Sequence, residues 1–465
     1  MRYISTRGQA PDLSFAEAMM TGLARDGGLY VPREIPEISR DDIAALAGLP
    51  YEEVAFRVMW PYLGDTFTAE EFRGLIAAAH RDFGHAARAP LKQLGANHFL
   101  LELFHGPTLA FKDFAMQLIG QMMQAVLAKS GERITIVGAT SGDTGSAAIE
   151  AFRGLANVDV FILFPHGRVT EVQRRQMTTP AEANVHAIAL DGDFDDCQAR
   201  VKDMFNHLDF RDAVGLAGVN SINWARVLAQ VVYYFSAAVS LGAPHREVDF
   251  TVPTGNFGDI FAGYVARNMG LPIGRLTVAT NQNDILDRAI RTGEYRPDGV
   301  KPSISPSMDI QVSSNFERAL FYAYERDGAA VAQLMEELKA GGFSISQGAA
   351  EALRESFASG RCDEEETYIS IRDTFARTGE VVCPHSAVGI HVAATHSGPA
   401  PMVMLATAHP AKFPDAVEHA MGQRPDLPPR MADLFERPER VTRLANDLSV
   451  LEDHIRANIS ERVAL

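Results

Sequence analysis

Apolar runs at 99–103, 133–139, 158–164, 185–190, 248–252, 275–280 and 401–406 recur along the chain, with helix-period stretches between them. A short apolar run with little polar alternation reads as a strand buried on both faces. Strands of that kind joined by helices run parallel, and the helices cover the sheet. The pattern predicts an α/β fold built on parallel sheets. Such sheets bind ligands at the carboxyl ends of their strands. Helices are expected at 114–128, 142–152, 169–177, 194–208, 222–239 and 257–268.

The two ends of the chain read differently. Residues 1–85 show helical patterns at 15–24, 51–63 and 69–83, with Ser14 as a cap. A turn at Asp26-Gly27-Gly28 and a strand end at 30–32 complete a small N-terminal unit. Residues 315–396 read as mostly helical. From Pro438 onward, Val441, Leu444, Leu448, Leu451, Ile455 and Ile459 fall near helical spacing. The run is short for a coiled coil, so a helix packed on the protein's own surface is expected.

With 465 residues the chain has room for two or three domains. Its net charge of -16 argues against a general nucleic-acid binder, which would carry a basic stripe. Cys197, Cys362 and Cys383 are far apart and make no disulfide framework, which fits a reducing cytoplasm. The first residues lack an apolar signal core, and no run reaches the length of a membrane span. A cytoplasmic protein without nucleic-acid or membrane partners is expected. The 14 histidines show no close ligand spacing, so no metal is expected. Asp191-Gly192-Asp193-Phe194-Asp195-Asp196 opens like a calcium loop, but Asp196 stands where Gly is needed and Lys202 where Glu is needed. These acids suit a helix N-terminus instead.

Four stretches carry the chemistry. In Phe104-His105-Gly106-Pro107-Thr108-Leu109-Ala110-Phe111-Lys112-Asp113-Phe114, a lysine sits among apolar residues between a strand and a helix. Desolvation disfavours an ammonium, so such an amine suits Schiff-base chemistry with an aldehyde cofactor. A solvated lysine opening an amphipathic helix fits the position as well. Gly138-Ala139-Thr140-Ser141-Gly142-Asp143-Thr144-Gly145-Ser146 joins a strand to a helix, and reads as an anion cradle or a plain cap. Pro253-Thr254-Gly255-Asn256-Phe257-Gly258-Asp259 makes a similar junction, with or without a ligand; Asp259 is expected to point away from any phosphate there. Ser313-Ser314-Asn315-Phe316-Glu317-Arg318 offers Ser314 as a helix cap.

In this order, the stretches resemble those of threonine synthases, pyridoxal-phosphate enzymes of fold type II. The likeness is to the longer class with an extra N-terminal domain. Ser5-Thr6-Arg7-Gly8, Asp26-Gly27-Gly28-Leu29 and Ala406-Thr407-Ala408-His409-Pro410 add to it, so that it spans nearly the whole chain. The resemblance implies a tryptophan synthase β-like fold with two doubly wound parallel-sheet domains and a small N-terminal α/β domain. The N-terminal domain would be 1–85, the large cofactor-binding domain 86–131 and 241–465, and the smaller substrate-loop domain 132–240.

The resemblance also implies pyridoxal 5'-phosphate in Schiff-base linkage to Lys112, beside Phe111 and Asp113. Gly255, Asn256, Phe257 and Gly258 would hold its phosphate, and Thr407 would meet its ring nitrogen. Thr108, Thr140, Ser141, Gly142, Asp143, Thr144, Asn315 and Arg318 become the substrate contacts. Asp143 stands where related enzymes often carry Asn. The implied reaction turns O-phospho-L-homoserine and water into L-threonine and phosphate, in a monomer or homodimer. Ser5, Thr6, Arg7, Thr108, Arg318, His409 and Lys412 are candidates for the substrate phosphate. A catabolic phospho-lyase releasing 2-oxobutyrate, or a non-catalytic anion binder of the same fold, shares these motifs.

Overall fold

The computed structural model describes residues 1–218, 220–394 and 398–460. Two compact units share the chain. The first comprises Met1–Ala77, Phe83–His105 and Ser221–Pro425; the second comprises Ala78–Asp82, Gly106–Asn220 and Asp426–Leu465.

The first unit is built on a six-stranded sheet. Its order is Ala358–Arg361, Ile273–Thr280, Val248–Pro253, Met402–Ala406, His98–Glu102, Leu91–Gln93. All neighbours are parallel except the last pair, where Leu91 faces Leu101. Val248–Pro253 and Met402–Ala406 are buried at every position, as continuous apolar runs require when both faces are covered. The helix Pro384–Ala394 packs across three of the central strands. Two antiparallel pairs lie outside the sheet, Tyr3–Ser5 with Tyr30–Pro32 and Glu294–Tyr295 with Phe343–Ser344.

The second unit holds a five-stranded, all-parallel sheet. Its order is Thr442–Leu444, Val185–Leu190, Val158–Pro165, Ile134–Ala139, Leu216–Ala217. Its core gathers Phe161, Leu163, Ile188, Leu190, Met204 and Phe210. The expected strands and crossover helices all form. One departure is the stretch 194–208, which ends as a helix at Asn206 and restarts as Leu208–Val214, with His207 between them at φ -81°, ψ 85°.

The tail departs further from its helical spacing. Thr442–Leu444 is an edge strand paired parallel with Ile188–Leu190, and only Leu448–Asn458 is helical. Three residues are too few for periodicity to separate strand from helix, and the sheet's open edge decides. The helix itself packs on the chain's own core through Leu451 and Ile455, both fully buried. Residues 315–394 are mostly helical, as expected, with the short strands Phe343–Ser344 and Ala358–Arg361 and turns between the helices; the end expected at 396 lies outside the described residues. Asp193 caps its helix through Asp196, in a reciprocal capping box. Among the described residues no helix is long and apolar enough to cross a membrane.

Candidate active site

In the second unit, Lys112 opens the long helix Lys112–Ser130 and is buried. A solvated helix start is thereby set aside. The loop before it is fastened from within: Asp113, wholly buried, accepts the Thr108 N–H at 2.9 Å and the Thr108 hydroxyl at 2.6 Å. Gln176 donates to Thr108 O at 3.1 Å. Asp113 thus acts on the loop that leads into the lysine, and Thr108 commits its hydroxyl to Asp113. The Lys112 Nζ lies 4.8 Å from the centre of the Phe111 ring. It also faces a carboxylate, Asp143 Oδ2, at 3.5 Å. The apolar surroundings expected from the sequence are therefore incomplete: a charge partner is built in.

Asp143 is the first residue of the helix Asp143–Phe152, which leaves the carboxyl end of Ile134–Ala139. Its position at the positive end of the helix favours the carboxylate. Thr140 Oγ1 accepts the N–H groups of Gly142 and Gly145 at 2.9 and 2.8 Å and shapes the turn. Ser141 and Thr144 are half-buried on the same turn. Gly142 has φ +136°, and a Cβ there would run into the Gln173 amide. That amide donates from Nε2 to Asp143 Oδ1 at 3.0 Å, while its Oε1 accepts the Thr170 hydroxyl at 3.1 Å. Sequence reasoning missed Gln173. Thr170 and Gln173 form a capping box at the start of the helix Glu171–Thr178, and nothing in the sequence marks the second bond, to Asp143.

In the first unit, the turn from Val248–Pro253 into the helix Gly258–Asn268 forms as expected. Gly255 is held so close that a Cβ would sit 2.5 Å from Ser307 O. Phe257 has φ +63°, an uncommon conformation for a bulky residue. Among the described residues, no acceptor meets the Asn256 or Phe257 N–H. The following helix adds its own unsatisfied donors. These features fit an anion such as a cofactor phosphate. Asp259 points elsewhere, as expected, and accepts from the hydroxyls of Tyr233 and Tyr234. Burial and that carboxylate push both phenols well above their ordinary range. Thr407 is buried just beyond the end of Met402–Ala406.

Of the remaining expectations, the helix cap needs correction. Ser314 does not cap the helix Phe316–Ala323; Asn315 occupies the cap position without a side-chain cap bond. Asn315 and Arg318 are both fully buried. Arg318 donates to Tyr30 O, Ile222 O and Asn315 Oδ1, so its guanidinium is occupied by the fold. Burial brings it down to about 9. Thr6 and Arg7 are drawn to Glu317, at 2.6 Å from the hydroxyl and 2.9 Å from Nη2, and Ser5 to Asp26 at 2.8 Å. Thr6 and Arg7 thereby tie the segment after the N-terminal strand to the helix Phe316–Ala323. Lys412 is wholly buried, and His409 Nδ1 accepts the Ala411 N–H at 3.2 Å.

The fold also gathers Cys362, Glu366 and His391, with ligand atoms within 4.8 Å of one another, which the spacing did not foretell. Glu366 already serves as a helix cap for the Asp363 N–H, and burial pushes the Cys362 thiol up to about 12. Both features oppose metal binding, which needs a thiolate.

Comparison with known proteins identifies the family. Residues 2–80 match the family model for the threonine synthase N terminus, 85–338 that for pyridoxal-phosphate dependent enzymes, and 386–455 that for the threonine synthase C-terminal region. A threonine synthase of Pseudomonas aeruginosa is 55% identical over 97% of both chains. Among solved structures, the PLP-bound threonine synthase of Brucella melitensis superposes with TM-score 0.97 at 57% identity, covering 98% of this chain and 99% of that one. The yeast threonine synthase gives TM-score 0.93 at 37% identity, covering 98% of each. The chain belongs to the threonine synthases, and with them to the pyridoxal-phosphate-dependent lyases of fold type II.

Proposed function

We propose that this chain converts O-phospho-L-homoserine and water to L-threonine and phosphate, with Lys112 as the catalytic base. The observation that carries the reading is the buried Lys112 amine facing Asp143 at 3.5 Å, at the head of a helix. Pyridoxal phosphate, when bound, supplies the aldehyde that takes up the substrate amine and a ring that accepts electron density. Lys112 Nζ then holds and moves the proton at the substrate's Cα. Asp143 orients the amine and stabilises its cationic form during that transfer. The Ser141 and Thr144 N–H groups bind the substrate carboxylate at the start of this helix, on the turn that Thr140 and Gly142 shape. Gly255, Asn256, Phe257 and Gly258 hold the cofactor phosphate through backbone donors. Thr407 serves the ring nitrogen, and Phe111 lies beside the amine.

The chemistry balances without an outside oxidant. A proton leaves Cβ as the Cγ–O bond breaks and phosphate departs. A water oxygen bonds to Cβ, and protons return to Cγ and Cα. The domains drawn from the sequence, 1–85, 86–131 with 241–465, and 132–240, stay part of this reading. So do a cytoplasmic location and a monomer or homodimer.

The test is the visible spectrum of the purified protein, followed by product analysis with phosphohomoserine. A visible band lost in Lys112→Ala, with threonine and phosphate formed in equal amounts by the parent, supports the reading. Accumulation of 2-oxobutyrate in place of threonine overturns it in favour of a phospho-lyase. A protein with no such band is a non-catalytic anion binder.

A further inference from the structure

Within the first unit, Ser313 and Asn315 grip the carbonyls of the loop at 255–258. Ser313 Oγ donates to Gly255 O at 2.7 Å. The Asn315 N–H and Nδ2 both donate to Asn256 O, at 3.0 and 2.9 Å. In a trans peptide the N–H points opposite to the C=O it is joined to. Holding Gly255 O and Asn256 O on one side turns the N–H groups of Asn256 and Phe257 to the other. Phe257, at φ +63°, stays in its uncommon conformation because the surroundings over-determine it.

Asn315 is itself oriented. Arg318 Nη1 donates to Asn315 Oδ1, which fixes the amide with its nitrogen toward Asn256 O and toward Ser221 O, the latter at 3.0 Å. The guanidinium is anchored in turn by Tyr30 O, at 2.8 and 3.1 Å, and by Ile222 O at 2.6 Å. A continuous line of hydrogen bonds therefore runs from the N-terminal strand pair to the loop. Every side chain in it is buried.

We propose that Asn315 is a positioning residue for the cofactor phosphate, with Arg318 setting its amide and Ser313 holding the neighbouring carbonyl. In this role Asn315 acts through the loop, aiming its N–H groups. The inference rests on the reading of Gly255–Gly258 as the phosphate site.

The experiment titrates full-length apoprotein with pyridoxal 5'-phosphate and, separately, with pyridoxal, and follows the visible band. Both ligands carry the aldehyde, and only the first carries the phosphate. In the parent, pyridoxal 5'-phosphate should bind more tightly. Asn315→Ala should weaken it about tenfold or more, the scale of a lost hydrogen bond to a charged group, while pyridoxal affinity holds within about twofold. Ser313→Ala should lower the same preference by about threefold, and it carries the test if Asn315→Ala does not fold. Equal weakening of both ligands, or no weakening of either, overturns the inference alone. A parent that does not distinguish the two ligands overturns the phosphate-loop reading, and this inference with it.

Discussion

At the scale of single residues, the site is a set of short polar handovers. Thr170 sets Gln173, Gln173 sets Asp143, and Asp143 faces Lys112. Gly142 belongs to this line although it makes no side-chain bond. Its φ of +136° is open to glycine, and a Cβ would displace the Gln173 amide. Gly142→Ala is therefore expected to cost about 1–3 kcal/mol of stability, from overpacking and backbone strain together. It should also lower kcat more than it raises KM, because the carboxylate facing the lysine is what moves. Urea unfolding and steady-state kinetics check the two halves. Of this line only Lys112 and Asp143 were legible, by their motifs. Nothing in the sequence marked Gln173. Which way a side-chain amide turns depends on the strand-and-helix unit beside it, and no local spacing encodes that.

Elements show the opposite balance. Strands such as Val248–Pro253 and Val185–Leu190 could be placed from the sequence, because a strand covered on both faces must be apolar throughout. The loops at 138–146 and 253–259 were legible for a related reason: helix N-termini need small, polar or glycine residues. The tail was misread where it is shortest. Thr442–Leu444 joins a sheet edge whose partner lies some 250 residues earlier, as the pairing of Arg443 with Ala189 shows. The helix that follows anchors that edge through Leu451. Leu451→Ala should destabilise the second unit by about 2–5 kcal/mol, the range for emptying a close-packed leucine site. Limited proteolysis should then cut the chain first in its last segment, and an unchanged cleavage pattern would count against this packing.

At the scale of the whole molecule, stability depends on pH through groups that folding buries. Glu150, on the helix Asp143–Phe152, is pushed up to about 7 from an ordinary 4.5, first by desolvation and against the nearby Arg153. The folded state binds this proton more tightly than the unfolded chain does. Its contribution is thus fully present below about pH 4.5 and is lost as pH rises through about 7. The loss amounts to roughly 3 kcal/mol at most for a shift of this size. In Glu150→Gln, the thermal midpoint should lose that slope between about pH 4.5 and 7 and rise relative to the parent at pH 8. A parallel pair of pH profiles would reject this role.

The amino-acid sequence alone determined the parallel α/β architecture, the lysine and the two glycine-bearing junctions. Each of these is written locally, in apolar runs and in the backbone needs of a turn. Only tertiary structure decided that Arg318 and Asn315 serve the loop beside them, that Thr6 and Arg7 bind Glu317, and that Asp143 takes its bearing from Gln173. Hydrogen-bond partners distant in sequence are chosen by packing: a buried polar group takes whichever partner the fold brings within reach.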